Sequence, residues 1–200
     1  ALMEEVFEVR KTSSKKAPEL RRKGLIDYLS KPLLELVSER TENLVQTTTG
    51  CQFISEALLE CSGDKEAAKS SVAALAAGDP TAEDHIANQA AAGRMLKTLV
   101  LGGSFDPATK SVKFAATLWP IIKDNVLAWA CSNSSFVVVA LTESEDVSAD
   151  VRKEVMAALK KGKKQLQAAG GSKPEKTKGK KKESDGPKGN AGARMLLEKL

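Results

Sequence analysis

The 200-residue chain is poor in aromatic residues, at 4%, too few for the Trp- and Tyr-rich core of a β-sandwich. It holds one histidine, His85, which leaves no material for a multi-histidine metal centre and little for histidine-based catalysis. Its three cysteines (Cys51, Cys61 and Cys131) are odd in number and form no C-x-x-C pair. That argues against a secreted disulfide scaffold and against structural zinc; buried thiols in a reducing compartment fit better. Serines are plentiful and Asp84 precedes His85, yet there is no G-x-S-x-G elbow. Gly102-Gly-Ser-Phe-Asp106 lacks the final glycine, and no G-K-[ST] follows it to make a phosphate-cradling loop. Neither catalysis nor a cofactor is expected, and His85 reads as a packing or helix-end residue. The longest apolar tracts, Phe136 to Leu141 among them, are six residues, far short of the roughly 18 that a membrane span requires. The opening Ala1-Leu-Met-Glu-Glu-Val-Phe is no signal peptide; it reads as the end of an amphipathic helix, as in a fragment of a longer chain.

What the chain does have is segregated charge. Its formal net charge is +5, and 42% of its residues are hydrophobic, enough to bury a core. Residues 160–182 carry ten lysines and one acid, Glu175, and residues 10–23 carry seven bases and one acid, Glu19. Those segments amount to +9 and +6, leaving −10 for everything else. An acidic body with two basic segments suits a polyanionic partner, bound more weakly as salt rises. A solvated lysine run that only aids solubility is the plain alternative.

Helical signals run through almost the whole chain. Pro32 stands where a first-turn proline would open a helix through Val45. Residues after Gly63-Asp64 form an alanine-rich helix stopped by Gly78-Asp79-Pro80, and Ser148 is placed to cap another. Pro120 should kink or divide the helix around Trp119, and both Trp119 and Trp129 read as packing anchors. Phe136 to Val139 is strand-like by composition, but its register with other segments argues for a helix. That register is a repeat. Gly50-Cys-Gln-Phe-Ile-Ser-Glu-Ala-Leu-Leu59, Ala92-Gly-Arg-Met-Leu-Lys-Thr-Leu-Val-Leu101 and Ser134-Ser-Phe-Val-Val-Val-Ala-Leu-Thr142 superimpose without gaps, 42 residues apart. A fourth copy, Gly192-Ala-Arg-Met-Leu-Leu-Glu-Lys-Leu200, places Arg194 100 residues after Arg94, 16 more than two periods. The Gly/Lys/Ser-rich stretch then reads as an insertion in the last repeat. A period near 40 made only of helices predicts an all-α fold, an α-solenoid. The expected layout is a repeat end and basic approach segment (1–30), helical repeats (31–168), a lysine-rich inserted loop (169–190) and the start of a last helix (191–200).

In order along the chain, these features resemble pumilio-type repeats, and among them the C-terminal region of Puf-A-like atypical pumilio proteins. The resemblance rests on Lys15-Lys16 and Arg21-Arg22 before a helix, His85-Ile-Ala with Ala92-Gly93 and Leu96-Lys97, Asn125-Val-Leu-Ala-Trp129, and the closing Leu196-Leu-Glu-Lys-Leu200. It implies an L-shaped array of pumilio-like helical repeats binding RNA (pre-rRNA or mRNA) and double-stranded DNA with little sequence preference. It further implies a monomer in the nucleus and nucleolus that acts in large ribosomal subunit assembly beside pre-ribosomal proteins, with a possible link to translational control and more repeats upstream.

In the pumilio code one repeat reads one base through two or three side chains. The corresponding trios are Cys51, Gln52 and Ser55; Gly93, Arg94 and Lys97; Ser135, Phe136 and Val139; and Ala193, Arg194 and Leu197. Val139 and Leu197 offer no polar group, nor do Gly93 and Ala193, so base-by-base reading is not expected. Phe136 reads as core, with base stacking as its alternative. The candidate phosphate partners are Lys15, Lys16, Arg21, Arg22, Lys23, Arg94, Lys97, Lys160, Lys161, Lys163, Lys164 and Arg194. For Arg94 and Arg194 an ordinary solvated or ion-paired role is equally open. The lysine tract also fits a nuclear-import signal, which would leave the helices as a protein-binding scaffold.

Overall fold

A computed structural model describes residues 16–102, 112–171 and 189–200. Within them the chain is helical, with ten α-helices and two 3-10 turns, as expected of an all-α solenoid. Helix α1 is Pro18–Val45, so the helix does not open at Pro32 and a boundary between residues 30 and 31 falls inside it. Pro18 takes the tolerated first-turn position instead. Pro32 lies exposed within α1; only the Tyr28 carbonyl loses its partner, on the wet side, where water can replace it. The break comes later, at Arg40 (φ −121°, ψ 19°).

Helix α2 (Thr48–Glu60) is capped by Thr47, whose hydroxyl accepts from the Gly50 N–H at 3.0 Å. Helix α3 (Glu66–Ala74) is followed by a loop that turns at Gly78 (φ +105°) and by a 3-10 turn, Ile86–Asn88. His85 begins that turn: its Nδ1 accepts from the Ala87 N–H and its Nε2 meets the Ala77 carbonyl, both at 3.1 Å. Its ring stands edge-on to Trp129 with centroids 5.5 Å apart, so the lone histidine is a packing residue. Helix α4 (Ala90–Leu101) ends in left-handed Gly102 (φ +63°). Pro120 lies in α5 (Phe114–Ile122); a 3-10 turn, Lys123–Asn125, then separates it from α6 (Val126–Cys131), the expected division. Phe136 to Val139 is helical, in α7 (Ser135–Glu143). Ser148 caps α8 (Ala149–Lys161) by accepting from the Val151 N–H. Helices α9 (Lys163–Gly170) and α10 (Ala191–Glu198) follow.

The four sequence copies occupy α2, α4, α7 and α10, and these pack in that order, each on the next. A second layer runs behind them: α1 with α3, α3 with α5, and α6 with α8 and α9. Between the layers Ile54, Leu58, Leu96, Leu118, Trp129, Leu141 and Leu196 are fully buried, each Leu or Ile contributing about 1.5–3 kcal/mol of transfer free energy. The small residues of the repeat have a geometric cause. A Cβ at Gly93 would collide with Ser134, and one at Gly192 with Ser135, so each glycine admits the neighbouring repeat helix.

Most of the expected lysine-rich loop, residues 172–188, lies outside the described residues, and its flanks are described. Asn190 N–H donates to the Ala169 carbonyl at 2.9 Å, and Gly171 lies against Gly189. The described residues on either side of 172–188 therefore lie together. Ala169 and Gly170 are the last residues of α9 rather than the first of a loop. Asn190 holds the junction: Oδ1 accepts from Gly192 N–H, Ala193 N–H and the Ser135 hydroxyl, while its amide donates to the Cys131 and Ser132 carbonyls.

Candidate nucleic-acid interface

The repeat register puts one side chain per helix at equivalent surface positions: Gln52, Arg94, Phe136 and Arg194. The first two are exposed and the last two half-buried. Gln52 and Arg94 line one cleft of about 560 Å³ between α2 and α4, floored by Cys51, Leu59 and Met95. Lys97 on α4 reaches toward α7 and sets its ammonium 5.3 Å from the centre of the Phe136 ring, a cation–π contact. Phe136 is therefore neither plain core nor an open stacking platform.

Most polar groups on this face are already engaged. The Arg22 guanidinium pairs with Glu60 at 3.0 Å. Gln52 donates to Glu56 at 3.0 Å, the Ser55 hydroxyl to the Cys51 carbonyl at 3.1 Å, and the Cys51 thiol to the Val45 carbonyl. Burial pushes the Cys51 thiol up, with the nearby Arg94 charge pulling it partly back; burial likewise raises Cys131. A thiol held protonated is a packing group, not a nucleophile. Val139 is buried and Leu197 half-buried, and neither can hydrogen-bond a base edge.

The remaining candidates separate into groups. Lys16 and Lys23 are exposed, and Arg21 is half-buried beside an apolar groove with Leu25, Leu29 and Phe53. Lys15 and the lysines between 173 and 182 lie outside the described residues. The Arg194 stem packs near Gly170 of α9. Lys160, Lys161, Lys163 and Lys164 come together at the α8–α9 turn, all exposed. Glu56 and Glu60, which neutralise the cleft, were not singled out in the sequence. The four-residue spacing from Gln52 to Glu56 could have revealed the first; the Arg22–Glu60 pair spans 38 residues and had no local signal. Among the described residues, no group of three His, Cys, Asp or Glu side chains could hold a metal ion, and no single helix is long and apolar enough to cross a membrane.

Comparison with known proteins agrees with this architecture. The model of the CPL (NUC119) domain family matches residues 1–112. The chain belongs to the CPL (NUC119) family. The CPL chain is 31% identical over 172 residues to Pumilio homology domain family member 6 of Schizosaccharomyces pombe, covering 82% of this chain and 26% of that protein. To human Pumilio homolog 3 it is 30% identical over 161 residues, covering 74% and 24%. It spans about a quarter of the length of these curated relatives. The crystal structure of human Puf-A superposes with a TM-score of 0.73 at 27% identity, over 98% of this chain and 36% of Puf-A. Human Puf-A in complex with DNA gives 0.69 at 26% identity, over 94% and 33%. The resemblance to Puf-A-like atypical pumilio proteins thus holds along the CPL chain and well beyond residue 112.

Proposed function

We propose that this chain is a nucleic-acid-binding part of a pumilio-type repeat array that holds RNA or DNA by its phosphates with little regard to sequence. The observation that carries this reading is the closure of the base-reading positions. Cys51, Gln52 and Ser55 are bonded within their own repeat, and Val139 and Leu197 are apolar, while exposed cations stay at the surface. Phosphate contacts position a nucleic acid without specifying its sequence. The solved Puf-A complex with DNA, which covers 94% of this chain, supports the same class of partner. A non-enzymatic role in large ribosomal subunit assembly, in the nucleolus and among pre-ribosomal proteins, completes the proposal; it draws on the family resemblance alone.

The test is filter binding to RNAs of unrelated sequence over a salt series. Comparable affinities that fall together with salt are expected, whereas a sharp preference for one sequence would defeat the reading. A second reading, a protein-binding scaffold, is favoured by Leu25, Tyr28 and Leu29, which stand exposed on α1. Because Ala169 and Gly170 belong to α9, the deletion that separates the readings is residues 172–188. If this deletion and neutralisation of the exposed cations both leave RNA affinity unchanged, the scaffold reading wins.

A further inference from the structure

We propose that residues 1–11 of this chain lie along α1 and fill the apolar groove between α1 and α2. This stands apart from the nucleic-acid reading, and it takes from the scaffold reading the residues that favour it. Residues 1–15 lie outside the described residues, whereas both walls of the groove are described.

The groove encloses about 370 Å³ and runs from Pro18 past Arg21, Leu25 and Leu29 of α1 to Phe53 of α2. Leu25 is 53% exposed and Leu29 40%. With the exposed Pro32 and Leu36 they recur at intervals of four, three and four residues, which is one face of a helix. A helix that turns an apolar stripe of this period toward water lacks a partner. Gly24 is a second sign. Glycine inside a helix is destabilising, and at Gly93 and Gly192 the fold explains it, because a Cβ would collide with the neighbouring repeat. At Gly24 nothing stands within 4 Å of such a Cβ. The bare backbone beside Leu25 is open to a close approach that no described residue makes.

Residues 1–11 match the groove in pattern, charge and reach. Leu2, Val6 and Val9 fall on one helical face, with Met3 and Phe7 beside it. Glu5 and Glu8 border that face. Arg21, half-buried on the rim of the groove, has no acid partner among the described residues, so a carboxylate brought alongside finds an unmatched cation. Residues 12–17 form the connection; at about 3.3 Å per residue they span up to about 20 Å, and packed helices need only about 8–10 Å between axes. Connections this short join antiparallel neighbours. As a helix the segment measures about 16 Å at about 1.5 Å per residue, which covers α1 from Pro18 to Leu29. The CPL family model spans residues 1–112, so segment and groove belong to one matched unit. A tether of this length also holds the segment at an effective concentration on the order of millimolar, an advantage over any separate molecule.

The experiment uses the whole chain with the photo-crosslinker p-benzoylphenylalanine in place of Phe7, and maps the adducts by tandem mass spectrometry. Adducts within one chain, on α1 between Arg21 and Leu29 or on Phe53, are expected. Adducts between two chains overturn the proposal in favour of a second copy. Adducts elsewhere in the chain, or none, overturn it too. Hydrogen exchange supplies an independent readout. Val6→Asp/Phe7→Asp should speed exchange of residues 20–29 by about tenfold or more and leave α7 and α10 unmoved. Leu25→Asp/Leu29→Asp, at positions already partly exposed, should speed exchange of residues 2–9 by a similar factor. Unchanged exchange in both variants overturns the proposal. A synthetic peptide of residues 1–11, added in excess to the wild-type chain, should leave α1 exchange as it is; slower exchange would show a groove standing empty and overturn the proposal.

Discussion

The repeat face and the turn joining α8 and α9 spend their polar groups in opposite ways. On α1, α2 and α4, Arg22, Gln52, Ser55 and Lys97 each engage a neighbour in the same chain. At the α8–α9 turn four lysines engage nothing among the described residues and suffer one another. The first region shows how side chains that could read bases become committed to holding helices together. The second shows charge kept at a cost to the fold. Substitutions on the first region should therefore act on stability, and those on the second on binding.

The largest expected effect lies beneath the repeat face. Trp129→Ala removes a fully buried side chain and the edge contact with His85, and should destabilise by about 3–5 kcal/mol. Trp129→Phe should cost less, because the buried indole N–H has no hydrogen-bond acceptor and its removal relieves an unsatisfied donor. Urea unfolding of both variants measures the difference; a Phe variant as destabilised as the Ala variant would contradict it. Gly93→Val comes next. Its side chain would have to displace Ser134, at the N-cap of α7, and overpacking of this kind costs about 1–3 kcal/mol. A variant as stable as wild type would mean that the helices separate freely, and the repeat would lose its stated reason for a small residue.

The glycine shows how legible this molecule is from its sequence. The 42-residue register placed three repeat helices, because packing similar layers forces the same small and apolar residues to recur at the same offsets. The close approach of Gly171 to Gly189 is compatible with 16 surplus residues before Arg194. Pro32 misled because proline is tolerated inside α1 where the acceptor it leaves unpaired is wet; the actual break at Arg40 has no comparable marker. The site was less legible still. Arg22 and the four lysines of the α8–α9 turn look alike as sequence, and only the tertiary pairing of Arg22 with Glu60 separates them.

Cys51 offers a check by pH. Burial holds its thiol protonated above the ordinary value of 9.0, so the thiolate is disfavoured in the folded state. Its contribution to stability is complete below the unfolded value and is lost as pH rises through the raised folded one. Alkylation of Cys51 in the native protein should be slower than that of the urea-unfolded chain between pH 8 and about 9.5. Equal rates would contradict the commitment of this face to packing.

The smallest expected effect addresses the one contact that joins the two behaviours. Lys97 is a cation on the repeat face, yet its charge lies over Phe136. A double-mutant cycle with Lys97→Met and Phe136→Leu should give a coupling of about 0.5–1 kcal/mol at this partly exposed site. Neither substitution should alter nucleic-acid affinity. If the coupling is absent and Phe136→Leu weakens binding to an unpaired strand, the ring is available to a base, and the repeat face keeps a stacking function that its side-chain pairing argues against. If the coupling is present and binding is unmoved, Lys97 belongs with Arg22 among the cations spent on the fold, and Arg94 is left as the exposed cation of that face.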